Sequence, residues 1–160
     1  MGIALSTIGV KIGYAFETTA GTRPTTGYKA IHDLKSTPDF NVAPNTEDMT
    51  TFDDTVSTRK VELLKDFGDT LEFNANLTNE LITTWNEICT QAAAKAEEDL
   101  VMWIEIIHPD LTNAFFLSCM PVDLGLPALE ANTGASTTVY VVPQGGAEWS
   151  TPIEFDEDAA

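Results

Sequence analysis

Two histidines, two cysteines and a loose run of carboxylates are the side chains in this 160-residue sequence whose types could do chemistry. His32 stands beside Asp33, half of the base and orienter pair that activates a nucleophile, yet no serine or cysteine nucleophile motif lies next to it. His108 opens the turn-forming triplet His108-Pro109-Asp110, where a structural or solvated imidazole suits the context. Cys89 and Cys119 sit among apolar residues without metal-ligand spacing, so buried free thiols are expected. Glu47, Asp48, Asp53 and Asp54 could together meet a hard cation. Their spacing departs from the calcium-loop pattern, and a solvated loop fits them better. The sequence also lacks a glycine-rich phosphate cradle and a basic patch interleaved with aromatics. No catalytic residue, metal site or cofactor is therefore expected, and an enzyme has no residues here to stand on.

The elements that carry these residues are mostly strands. Val10, Ile12, Tyr14 and Phe16 alternate with Lys11, Gly13 and Ala15, the period of a first strand from Val10 to Phe16. Residues 17–29 are turn-rich, and Ile31 to Val42 is extended but interrupted by Pro38. Pro44 to Thr58 has neither period and is expected as a long polar loop, a kind of segment that usually carries function or mobility. A further strand begins at Arg59. The clearest alternation follows, Leu71, Phe73, Ala75 and Leu77 against Glu72, Asn74, Asn76 and Thr78, after a turn or bulge at Asp66 to Asp69.

One helix is expected, from about Asn79 to Glu97. Leu81, Ile82, Trp85, Ile88, Cys89, Ala92 and Ala96 make one apolar stripe, with Thr78 or Asn79 as its cap and Lys95 near its end. Leu100 to Ile107 is apolar throughout except for Glu105, which marks a central strand, and Ala114 to Met120 returns as its hairpin partner. Pro121 to Thr133 is irregular. Thr137 to Val142 reads as a strand closed by Pro143, with a turn at Gly145-Gly146 and a last short strand from Trp149 to Phe155. The sum is one mainly β domain over residues 1–160 with one flanking α-helix, a β-sandwich or partly open barrel, ending in an acidic tail at 156–160.

Charge narrows the partners. Eight Lys plus Arg against 25 Asp plus Glu give a net −17, which excludes a tight phosphate binder because nucleic-acid affinity comes from cations that displace counterions. The imbalance is concentrated: residues 1–95 carry all eight bases and 13 acids, whereas residues 96–160 carry 12 acids and no base. No apolar run reaches about 18 residues, so no membrane partner is expected. Met1-Gly2-Ile3-Ala4-Leu5 lacks the basic region and cleavage site of a signal peptide, Gly2 with Ser6 matches a myristoylation pattern without a polybasic patch, and Asn76-Leu77-Thr78 is a glycosylation sequon on paper alone.

In this order of elements the chain resembles the major tail tube proteins of long non-contractile-tailed bacteriophages. The resemblance rests on the early strand VKIGYAFETTAGTRPTTGYKAI, the interrupted stretch DLKSTPDFNVAPNTEDMTTFDD and the strand KVELLKDFGDTLEFNANLT leading into the helix NELITTWNEICTQA. It continues through the hairpin IIHPDLTNAFFLSCM and the late segment LGLPALEANTGASTTVYVVPQGG. It implies a structural virion protein of the phage tail, assembled in the host cytoplasm from copies of itself into stacked hexameric rings around a channel for DNA. Tape-measure and tail-terminator or tail-tip proteins are the further partners it implies. Residues 39–56 would be the inter-ring loop, with Phe40, Met49 and Phe52 as apolar anchors and Glu47, Asp48, Asp53 and Asp54 as its polar part. Glu72, Asn74 and Asn76 are candidates for the lumen, or for the outer surface if that face points outward. A channel lined by carboxylates and amides repels phosphates over about 10 Å at 0.1 M salt, so DNA slides without being held.

The alternative is a monomeric β-sandwich binding module, carbohydrate-binding or adhesin-like. Such a module needs an exposed aromatic platform. Trp85 falls on the helix stripe and Trp103 in an apolar run, which leaves Trp149 for that role.

Overall fold

The chain is mainly β, with one helix and a curled antiparallel sheet. A computed structural model describes residues 8–65 and 70–155. The expected turn at residues 66–69, the acidic tail at 156–160 and the patterns at residues 1–6 lie outside the described residues. The strands are β1 (Lys11–Phe16), β2 (Lys29–Ala30), β3 (Leu34–Ser36), β4 (Pro44–Asp48), β5 (Lys60–Lys65), β6 (Leu71–Asn76), β7 (Met102–Ile107), β8 (Ala114–Pro121) and β9 (Ser136–Ser150), with α1 (Asn79–Ala96) between β6 and β7.

Seven strands form one antiparallel sheet in the order β2-β1-β7-β8-β9-β6-β3. The apolar strand with Glu105 is central, as its two-sided hydrophobicity requires, with β1 on one flank and β8 on the other. One face packs under the helix. Ile12, Tyr14, Phe73, Met102, Ile104, Leu117, Val139 and Val141 form a buried cluster with Trp85 and Ile88 of α1. The opposite face holds a smaller cluster of Ala15, Tyr28, Trp103, Ala114 and Phe116, covered in part by Ile153 and Phe155.

The helix follows its stripe closely. Thr78 caps it, accepting from the Leu81 amide at 3.1 Å and donating to the Asp33 carboxylate at 2.7 Å. Leu81, Trp85, Ile88 and Ala92 are buried, while Ile82 and Ala96 at the stripe's margin are exposed. Trp85 donates its indole N–H to the Val122 carbonyl at 2.8 Å, which ties the helix to the segment after β8.

Three expectations are corrected. The polar stretch from Pro44 to Thr58 is not a loop throughout, because Pro44–Asp48 pairs with Lys60–Lys65 as a separate two-stranded hairpin. Its strand residues from Asn45 to Asp48 are all exposed, so neither face imposes the alternation that would have announced a strand. The last strand does not end at Pro143 or turn at Gly145-Gly146; β9 runs unbroken for 15 residues. Its first part pairs with β6 as far as Leu71↔Val141, and its second part pairs with β8. Pro143 stands where β9 has already passed the end of β6, so its missing N–H breaks no pairing there. A register shift between Leu117 and Cys119, with Gly145 at φ 96°, absorbs the extra residues as a bulge. Gly146 is required by close packing: a Cβ there would lie 2.6 Å from the Trp103 ring. The expected strand from Trp149 to Phe155 is likewise replaced, since residues 151–155 form no strand.

Candidate assembly surface

Three surfaces gather the residues singled out from the sequence: the β4–β5 arm, the wet face of β6, and an apolar groove beside β9.

The arm is built on backbone pairing, from Pro44↔Lys65 to Asp48↔Lys60, and closed by local hydrogen bonds. The Met49 amide donates to the Arg59 carbonyl at 2.8 Å, and the Arg59 amide donates to the Thr50 hydroxyl at 2.8 Å. Asp48 accepts from the Thr50 amide at 2.9 Å, and hydrogen bonds from Thr50 hold its carboxyl below the usual value. Asp54 accepts from the Thr51 amide at 2.9 Å and lies 3.8 Å from the Arg59 guanidinium. These acids shape the tip, as short polar side chains do in turns. Glu47 points to solvent on β4 and Asp53 is exposed at the tip. Among the described residues no group of three or more His, Cys, Asp or Glu is placed to hold a metal ion.

Two apolar residues at the tip of the arm, Phe52 and Val56, have nothing of their own chain over them. Phe52 and Val56 are as exposed as in an extended peptide, and Met49 and Val61 are exposed as well. Phe40 is different. Its ring lies 5.1 Å from Phe115 and 6.2 Å from Phe73, so it packs inward on its own sheet and does not stand out as an anchor.

Glu72, Asn74 and Asn76 are brought together as expected, exposed on one face of β6 while Leu71, Phe73 and Ala75 are buried on the other. Opposite them on β9 stand Tyr140, Thr138 and Ser136. Asn74 accepts from the Thr138 hydroxyl at 3.1 Å and donates to the Ser36 hydroxyl at 3.0 Å. With Lys35 nearby, this face is lined by amides and hydroxyls more than by carboxylates. It forms the floor of a depression of about 760 Å³ whose wall is the segment from Val122 to Ala128.

The third surface was not foreseen as a unit. Pro38, Phe40, Ile106, Phe115, Ala147 and Trp149 line an open groove of about 880 Å³. Trp149 is exposed and lies edge-on to Phe115 at 5.2 Å. The period-2 pattern could not have found it, because β9 was expected to stop before Trp149 and Phe40 comes from a distant segment.

The remaining chemistry-bearing side chains are occupied structurally. His108 Nδ1 accepts from the Asp110 amide at 3.1 Å inside its turn. Asp33 serves the helix cap through Thr78, and His32 is exposed. Burial pushes the Cys89 thiol up to about 11 with Asp123 beside it, and pushes Cys119 still further up, which disfavours the reactive thiolate at both. Among the described residues no helix is long and apolar enough to cross a membrane. No protein-family model matches this sequence, and no curated protein matches it.

Proposed function

We propose that this chain is a structural virion protein, the subunit of stacked hexameric rings that form a phage tail tube and conduct DNA. The observation that carries this reading is the β4–β5 arm, whose apolar tip residues Phe52 and Val56 are left in water by the rest of the chain, with Met49 half exposed beside them. A two-stranded hairpin is marginal by itself and gains most from packing against something else. A second copy is the partner that needs no other component.

The sheet supports the same reading. Its outermost strands, β2 and β3, have only two and three residues, so most of β1 and β6 lies beyond their reach on the outer flank. Among the described residues no strand pairs with the flank of β9 opposite β8 over residues 143–150. Open edges of this kind pair readily with another chain, and rings remove them by closure. The face of Glu72, Asn74 and Asn76, lying opposite the helix, is the proposed lumen surface. It offers phosphates amide and hydroxyl groups with little cationic charge to hold them.

Negative-stain electron microscopy of the purified protein tests the proposal. Rings or tubes about one channel are expected. A 17 kDa monomer persisting at high concentration overturns it.

One observation favours the alternative of a monomeric binding module: the exposed Trp149 beside Phe115 in the open groove makes a small aromatic platform. Oligosaccharide-dependent quenching of tryptophan fluorescence that is lost in Trp149→Ala, from a protein that stays monomeric, would favour that reading.

A further inference from the structure

Two carboxylates are buried on the sheet face away from the helix, and they are treated differently. Glu17 is fully engaged. Its Oε1 accepts from the Val101 amide at 3.0 Å and the Gly21 amide at 3.4 Å, and its Oε2 accepts from the Trp103 indole at 2.9 Å. Glu105, midway along the central strand, is 0% exposed and half satisfied. Its Oε2 accepts from the Ile153 amide at 2.7 Å, while its Oε1 has no hydrogen-bond partner. An unpartnered oxygen in such a place is disfavoured, and far more so when the group is ionised.

What covers Glu105 is residues 151–155. Ile153 supplies the hydrogen bond, and Ile153 and Phe155 both pack on the cluster of Tyr28, Trp103 and Phe116. Phe155 lies so close over Gly13 that a Cβ there would be 2.6 Å from its ring, and Gly13 is the residue paired with Glu105 on β1. The root of this segment is tied by Arg23, which donates to the Ser150 hydroxyl at 3.3 Å.

We propose that residues 151–155 are a proton-linked strap: protonation of Glu105 seats it across β1 and β7, and ionisation loosens it and bares the apolar cluster beneath. The neutral acid tolerates the dry site. The carboxylate regains water most directly if the strap lifts, because the other cover, residues 17–28, is pinned by Glu17 and by the 2.6 Å ion pair of Arg23 with Glu148.

The charged surroundings agree with this sign. Burial raises Glu105 from 4.5 to about 6, against the lowering by the Ile153 amide and the Arg23 charge. Arg23 is shared with Glu148 and stacked at 4.1 Å over Phe116. Tyr28, raised to about 12 chiefly by burial, donates to the Pro24 carbonyl at 3.0 Å and carries no charge near neutrality. Lys11 and Lys29 on the flanking strands and Glu154 on the strap are exposed. The closed form therefore holds the proton more tightly than the open one. Closure strengthens as pH falls through about 6 and stops changing below 4.5.

Hydrogen-exchange mass spectrometry of the full chain at pH 5 and pH 7.5, corrected for intrinsic exchange, tests the strap. Opening of residues 151–155 is expected to be roughly 8-fold more frequent at pH 7.5 than at pH 5, the part of the linkage of a shift from 4.5 to about 6 that falls within this interval. In Glu105→Gln that difference disappears. A second variant, Phe155→Ala, keeps the acid but loosens its cover, and carbon-detected NMR should then find the Glu105 carboxyl titrating back towards 4.5. Equal protection at both pH values in the natural protein overturns the proposal. So does a pH dependence that survives in Glu105→Gln, or a Glu105 midpoint that stays near 6 in Phe155→Ala.

Discussion

The seven-stranded body and the β4–β5 arm use the same antiparallel pairing and have opposite surroundings. In the body, alternate side chains of β1, β6, β7 and β8 are buried under the helix or under residues 17–28 and 151–155. In the arm, both faces of β4 are wet, and the apolar tip residues Phe52 and Val56 are fully exposed. Main-chain hydrogen bonds alone contribute little net stability, since water competes for the same groups. The body thus buries a core of its own, whereas the tip of the arm leaves Phe52 and Val56 in water.

The largest test of that contrast is Trp85→Ala. It removes the fully buried centre of the helix stripe together with its hydrogen bond to Val122. A loss of about 3–5 kcal/mol is expected, read as a lower midpoint in chemical denaturation. A loss under about 1 kcal/mol would show that the body does not depend on the helix. Next in size is Thr78→Ala, which deletes the cap and frees the Asp33 carboxylate. It should cost about 1 kcal/mol, measured in the same way. The smallest effect on stability belongs to the arm. Phe52→Ser should change the unfolding free energy by less than about 0.5 kcal/mol while abolishing rings or tubes in the microscope. A clear loss of stability in this variant would mean that the tip packs on its own body, and the contrast would fail.

The body was legible in the sequence to the extent that burial alternates along it. Leu71, Phe73 and Ala75 against Glu72, Asn74 and Asn76 reproduce the observed faces of β6 one for one. Leu81, Trp85, Ile88 and Ala92 reproduce the buried side of α1. The arm was half legible. β5 was anticipated, but β4 has no buried face and hence no period to read. Pro143 and Gly145-Gly146 are ordinary strand terminators, yet the bulge opposite Leu117 and Cys119 carries β9 past them. The resemblance to tail tube proteins implied Phe40 as an apolar anchor of the inter-ring loop, whereas its ring packs against Phe73 and Phe115 of its own sheet.

The sequence by itself determined which faces of β1, β6 and α1 seek burial, because a side-chain period of two or 3.6 residues is a local property of the backbone. It also marked Glu105 as the one acid in an apolar run. The tertiary structure decided the rest: that β9 joins β6 to β8, that the arm stands apart from the sheet, and that Glu105 meets the Ile153 amide 48 positions away. Those outcomes depend on which distant strand or segment arrives at a given edge or face, and no local period encodes that choice.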